Sequence, residues 1–270
     1  MLTQADAAGR PWTRVLAVDT STERLEVALG AAGPGAPGPG CWRHQGPGGP
    51  LASTQLIPAI TDLLAQAGWA LDSLDAIAVG VGPGSFTGLR TACAVVQGLA
   101  HAARPGGVPV LPVPTLLAVA EEARWQREQQ GGGPTTDVWA AIDARMDEIY
   151  LARYRWQAAE ARWDTVVAPG LARPEALPVA RVQDGQTGQA GAVCLAGNAW
   201  PVYGDRWAAG WADLPSVFCG PTATAMLRLA PALQAEGRVV AASLAQPVYV
   251  RDKVAYTTEE RERIKAGGAA

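Results

Sequence analysis

The chain has 270 residues, a net charge of -3, and 49% hydrophobic against 17% charged residues. This excludes a disordered chain and leaves room for one large domain or two small lobes, each with a core. No apolar run approaches the roughly 20 residues of a membrane span, no Lys/Arg cluster offers a nucleic-acid face, and the first 14 residues hold no signal-like apolar stretch, so a cytoplasmic protein is expected.

Residues 1–13 are expected to form a flexible N-terminus. An apolar run of β type over 15–18 ends in Asp19-Thr20-Ser21-Thr22, and 25–29 reads as its hairpin partner. A Gly/Pro-rich stretch over 30–50 holds a weak third strand near 41–45. The period then changes. Leu56, Ile57, Ile60, Leu63 and Leu64 form one stripe of a helix over about 53–67, with Ser53 or Thr54 as N-cap and Gly68 as the stop. A strand over 75–81, a glycine-rich turn over 82–88, a helix over 89–102, a strand over 108–113 and a helix over 115–129 follow. The order is mixed α/β, a hairpin feeding a parallel section.

Residues 131–136 read as a connection between lobes, 14–130 being the first and 137–255 the second. After the connection the opening pattern recurs. Val15-Leu16-Ala17-Val18-Asp19 precedes Leu25, Val27 and Ala28; Trp139-Ala140-Ala141-Ile142-Asp143 precedes Ile149, Leu151 and Ala152. The echo at the head of each half predicts an internal duplication. The second half is less regular. It shows short strands over 165–167 and 193–196, a Gly/Gln loop over 184–191, a helix over 222–233 limited by Pro231, an extended segment over 247–250, and a charged tail over 256–270.

Gly80-Val81-Gly82-Pro83-Gly84-Ser85-Phe86-Thr87-Gly88-Leu89-Arg90 is the strongest local feature. It is neither a Walker A loop nor G-x-G-x-x-G. Backbone N–H groups with Gly82, Gly84, Ser85, Thr87 and Gly88 suit an anion, and the same residues suit a tight turn or a partner-contact loop. Asp19, Thr20, Ser21 and Thr22 similarly suit a phosphate or hydrated Mg²⁺, or satisfy only their own turn. His44 and His101 share no motif and the four cysteines form no C-x-x-C pair, which argues against a histidine-rich metal site and for reduced thiols. The helix over 89–102 is apolar over much of its circumference. Leu89, Cys93, Val96 and Leu99, with the Leu56 stripe, offer either core or a helix-bundle partner interface.

Leu16-Ala17-Val18-Asp19-Thr20-Ser21-Thr22, Gly82-Pro83-Gly84-Ser85-Phe86-Thr87-Gly88-Leu89-Arg90, Ala141-Ile142-Asp143-Ala144-Arg145 and Pro247-Val248-Tyr249-Val250-Arg251 resemble, in order, the TsaB (YeaZ) family. The resemblance implies an actin-like, ribonuclease H-like fold with two duplicated lobes and mixed sheets, the second lobe reduced. It implies a non-catalytic subunit that binds TsaD through the two first-lobe helices and supports threonylcarbamoyl transfer to the adenosine beside the anticodon in tRNAs reading ANN codons. TsaE joins the complex and tRNA is met indirectly; separately, an exposed apolar helix face predicts that the first-lobe helices can pair two copies as a homodimer when the chain is alone. No intrinsic cofactor is implied, only weak or interface-dependent ATP or ADP with Mg²⁺. The alternative is a nucleotide- or phosphate-handling enzyme of this fold, formerly labelled M22 glycoprotease. TsaD-like members hold a metal with a His-x-x-x-His pair on the first helix; here that helix reads Ala52-Ser53-Thr54-Gln55-Leu56-Ile57-Pro58, without histidine.

Overall fold

The computed structural model describes residues 10–132, 135, 137–178 and 193–251. The first nine residues, the whole Gly/Gln loop over 184–191 and the charged tail thus lie outside the described residues, as do parts of the connection between lobes.

Two five-stranded sheets repeat one topology. In the first, β1 (Val15–Asp19), β2 (Arg24–Gly30) and β3 (Trp42–Pro47) form an antiparallel meander, and β4 (Ala76–Gly82) and β5 (Val110–Pro114) add in parallel on the other side of β1. The order is β3-β2-β1-β4-β5. In the second, β6 (Asp137–Arg145), β7 (Glu148–Gln157) and β8 (Arg162–Ala172) form the meander, and β9 (Val193–Ala196) and β10 (Ser216–Val217) the parallel edge. Read from β8 to β10, the order is β8-β7-β6-β9-β10, the first order repeated. The echo of the two apolar-Asp segments is therefore a duplication of whole lobes.

Helices α1 (Ala52–Ala67) and α2 (Phe86–Ala102) cover the outer face of the first sheet. Their second-lobe counterparts are reduced. Among the described residues only the five-residue α4 (Ala199–Tyr203) stands on the outer face of the second sheet. The rest of that face is packed by Trp207, Trp211, Leu177 and Leu214, a use for the tryptophans that periodicity does not reveal. Between the sheets lie α3 (Thr115–Gln129) and α5 (Ala223–Ala235), and the largest core forms there.

Local chemistry explains where the elements start and stop. Gly68 closes α1 at φ 65°, the left-handed region that glycine enters freely. The α1 N-cap is Leu51, not Ser53 or Thr54; their hydroxyls instead bond back to the carbonyls of Pro50 and Leu51. Helix α2 starts three residues earlier than the periodicity suggests, because Ser85 caps it and accepts from Gly88 N at 3.3 Å. Pro231 does not end α5. It cannot donate to the carbonyl of Leu227 four residues back, and Gly33 N donates to that carbonyl instead, at 3.0 Å. Residues 247–250 make no ladder; they run as a strap tied by Val248 N to Val81 O at 2.7 Å.

The interior between the lobes contains charge. Glu121 and Glu122 of α3 and Arg228 of α5 are buried. The Arg228 guanidinium donates to Glu121 at 2.8 Å, to Glu122 at 2.6 Å and to the carbonyl of Ala36 at 2.9 Å. Glu121 also accepts from Arg124 and from the Trp163 indole, and Glu122 from Thr222 and Gln126. Each buried carboxylate thus has several donors, as burial requires.

Candidate functional site

The two lobes meet at a cleft of about 330 Å³ whose lining includes Thr22 and Glu23 from the β1–β2 turn, the N-terminus of α2, the β6–β7 turn, Asn198 and Arg251. The duplication brings the heads of both lobes to one place. Asp19, at the end of β1, accepts on Oδ1 from Ser21 N at 2.9 Å; Asp143, at the end of β6, accepts on Oδ1 from Arg145 N at 2.9 Å. Each aspartate thus bonds the backbone two residues on, the turn-closing use of this side chain.

Asp19 is fully buried, and its other oxygen, Oδ2, has no hydrogen-bond partner. Oδ2 lies where a Gly80 side chain would start, 1.9 Å from that Cβ position. Burial raises the Asp19 pKa from 3.8 to about 6, against the lowering effect of its bonds from Ser21. Glu26, also buried, is pushed up to about 7 by desolvation. In both cases the folded state holds the proton more tightly than the unfolded chain does. That contribution to stability is complete below about pH 4 and is lost as pH rises through about 6 to 7. We therefore expect the melting temperature of Asp19→Asn, relative to wild type, to rise between pH 4.5 and 7.5. A difference that is flat with pH would remove Asp19 as the titrating group.

The glycines of the 82–88 loop are taken up by the chain itself. A Cβ on Gly84 would stand 2.4 Å from Ser21 O, and one on Gly88 1.9 Å from Thr20 O. Gly82, at φ 114°, packs against Leu89 and the carbonyl of Val248. Ser85 N donates to Ser21 O at 2.7 Å, and Thr20 Oγ1 to Gly88 O at 2.7 Å. The loop and the β1–β2 turn are thus laced together. An actin-like fold implies a nucleotide phosphate at this place, and these residues do not fit one: the close backbone approach is spent on Ser21 and Thr20, and Asp19 faces Gly80 from inside. Of the residues the sequence singled out for an anion, Ser21, Thr22, Gly84, Ser85 and Thr87 line the cleft, while Asp19, Thr20, Gly82 and Gly88 lie behind it.

Across the cleft, Arg145 pairs with Glu23 at 2.5 Å, joining the two homologous turns. Arg145, Met146 and Asp147 all have positive φ, 64°, 58° and 61°, costly for side-chain-bearing residues. Arg251 holds this turn, donating to the carbonyls of Ala144 and Arg145 at 3.1 Å each and to Glu148 at 2.7 Å. Sequence reasoning missed Arg145, Asn198 and Arg251 as cleft residues. The motif ending in Arg251 was visible, but not its target more than a hundred residues away.

The chain is 34% identical to TsaB of Escherichia coli (strain K12), a tRNA threonylcarbamoyladenosine biosynthesis protein by name, over 90% of this chain and 96% of that one. The chain belongs to the TsaB family. TsaB of Haemophilus influenzae is 30% identical over 90% of this chain and 95% of its own length. The solved structure of YeaZ from Pseudomonas aeruginosa matches with a TM-score of 0.69 at 35% identity, covering 88% of this chain and 99% of that one. The family model for TsaD, tRNA N6-adenosine threonylcarbamoyltransferase, matches residues 51–255.

In this TsaB-family fold the apolar stripes of α1 and α2 face inward. Leu56, Ile60, Leu63, Leu64, Leu89, Cys93 and Val96 are buried against the first sheet, and Leu99 is half-buried beside them. Only Ile57, 47% exposed, points outward. The residues expected at a partner interface are thus mostly the chain's own core, because the sheet's outer face needs that cover. The outward side of the pair presents Leu51 just before α1, Ile57 and Thr61 on α1, and Thr87, Arg90, Ala94 and Gly98 on α2.

Proposed function

We propose that this chain is a non-catalytic assembly subunit that binds TsaD through the outward side of α1 and α2. TsaE joins that pair, tRNA meets the assembly, and threonylcarbamoyl transfer to the adenosine beside the anticodon takes place on TsaD. The observation that carries the reading is this outward side. It is apolar at Leu51 and Ile57 and smooth at Ala94 and Gly98, and a Cβ on Gly98 would meet nothing within 4 Å. Small residues on a helix surface let a second helix approach closely, and an exposed aliphatic beside them supplies the desolvated anchor.

The cleft supports the same reading. Its loop glycines are occupied by the chain's own backbone, so ATP or ADP with Mg²⁺ belongs at a surface that a partner completes. Without TsaD, the same outward side pairs two copies of this chain.

Ile57→Asp tests the reading. It places a charge on the exposed side and leaves the core intact, whereas a charge at Ile60, 1% exposed, would attack the core itself. The variant should melt like wild type and bind TsaD of the same organism about tenfold more weakly or worse. Full-rate tRNA modification by TsaD, TsaE and the threonylcarbamoyl-AMP synthase in the absence of this chain would refute the assembly role.

A further inference from the structure

The outward stripe of α2 runs through Gly98 and Ala94, and four residues further toward the N-terminus it reaches Arg90, on the same helical face. Arg90 does not trail into solvent. Its guanidinium carbon lies 3.8 Å from the centroid of the Phe86 ring and 5.9 Å from that of Tyr249, and its Nε donates to the Tyr249 hydroxyl at 2.9 Å. The two rings are 5.1 Å apart. Phe86 is 37% and Tyr249 45% exposed, with Val248 exposed beside them. Among the described residues Arg90 has no carboxylate partner, and its two terminal nitrogens make no hydrogen bond. The side chain is thus held in one place by a ring and a hydroxyl, with the donors suited to a carboxylate left unused by the described residues.

Building on the partner face put forward above, we propose that Arg90, clamped by Phe86 and Tyr249, is the charged anchor of that face and takes a carboxylate carried by a helix of the protein partner. A planar guanidinium forks onto a carboxylate with two parallel bonds, and an immobilised one loses less rotamer entropy on pairing. The aromatic neighbours shield the pair from water and strengthen it. The occupant follows from the surroundings. The adjoining stripe of small residues receives a helix rather than an irregular chain. A nucleic-acid strand fits less well, because the guanidinium already covers the Phe86 ring where a base would stack.

The test is a binding titration of this chain with TsaD of the same organism, using wild type, Arg90→Glu, Arg90→Lys and Arg90→Ala, each checked for an unchanged melting temperature. Arg90→Glu should weaken binding about tenfold or more. Arg90→Lys should fall between it and wild type, since an ammonium neither forks nor stacks. The Arg90→Ala affinity should fall less steeply with added salt than the wild-type affinity. If wild type binds and Arg90→Glu binds equally, the anchor is wrong and the partner role stands. If wild type does not bind, both fall. If Arg90→Glu leaves TsaD binding intact but weakens tRNA binding by the assembled complex, the contact is with RNA and the carboxylate proposal is overturned.

Discussion

Replacing Arg228 by Ala should destabilise the fold by about 3–5 kcal/mol, read as a lower urea midpoint with an unchanged slope. The reason is the company Arg228 keeps. It is the cation between Glu121 and Glu122, both buried, and it also caps the carbonyl of Ala36. Removing it leaves two carboxylates from adjacent positions on α3, while the guanidinium of Arg124 bonds Glu121 and Glu128. Among the described residues Glu122 then keeps neutral hydrogen-bond donors, Thr222 and Gln126. A buried charge stripped of its partner is the expensive case; the intact pair is close to neutral in value. A change under about 1 kcal/mol at pH 7 would mean that water reaches this network.

Gly88→Ala should cost about 3 kcal/mol or more. It adds one methyl group and no charge, and it sits in the first turn of a helix, where alanine is ordinarily favoured. Propensity therefore predicts a gain. The geometry predicts the opposite, because the new Cβ would stand 1.9 Å from the carbonyl oxygen of Thr20. Neither backbone can yield without breaking the Thr20 Oγ1 bond to Gly88 O or the Ser85 N bond to Ser21 O. Overpacking against rigid backbone lies at the upper end of such penalties. Gly98→Ala on the same helix, with open space around it, is the control and should be neutral or stabilising in the isolated chain. If Gly88→Ala were equally harmless, the lacing of the loop to the β1–β2 turn would be looser than its distances indicate.

The parts of this fold legible in the sequence are those set by local periodicity. The apolar runs ending in Asp19 and Asp143 located β1 and β6, and the 3.6-residue stripe located α1, because both signals are written within one element. The duplication was legible for the same reason: two short patterns, each complete in itself, could be laid over one another. What was not legible depends on meetings between distant segments. The stripe on α1 shows that one face is covered and cannot say by what; the cover is the first sheet, and the face proposed for a partner is the opposite one. Glu121, Glu122 and Arg124 look like the solvated side of a helix until α5 supplies Arg228, 107 positions from Glu121. The glycines of the 82–88 loop match equally well a phosphate and the chain's own backbone, and only the position of Thr20 and Ser21 decides between them.

The two lobes share a strand order but not a helix layer. A protein built from two copies of one adhesive unit would carry a sticky face at each end, and such molecules can add to one another without limit, as filaments do. In this chain the described outer face of the second lobe bears the short α4 and packed indoles where the first lobe bears α1 and α2. On the reading proposed above, the partner face belongs to the first lobe, and the described outer face of the second lobe carries no counterpart of α1 and α2. A pairing through that proposed face would stop at two chains, with the loss of the second lobe's helix pair acting as a chain terminator.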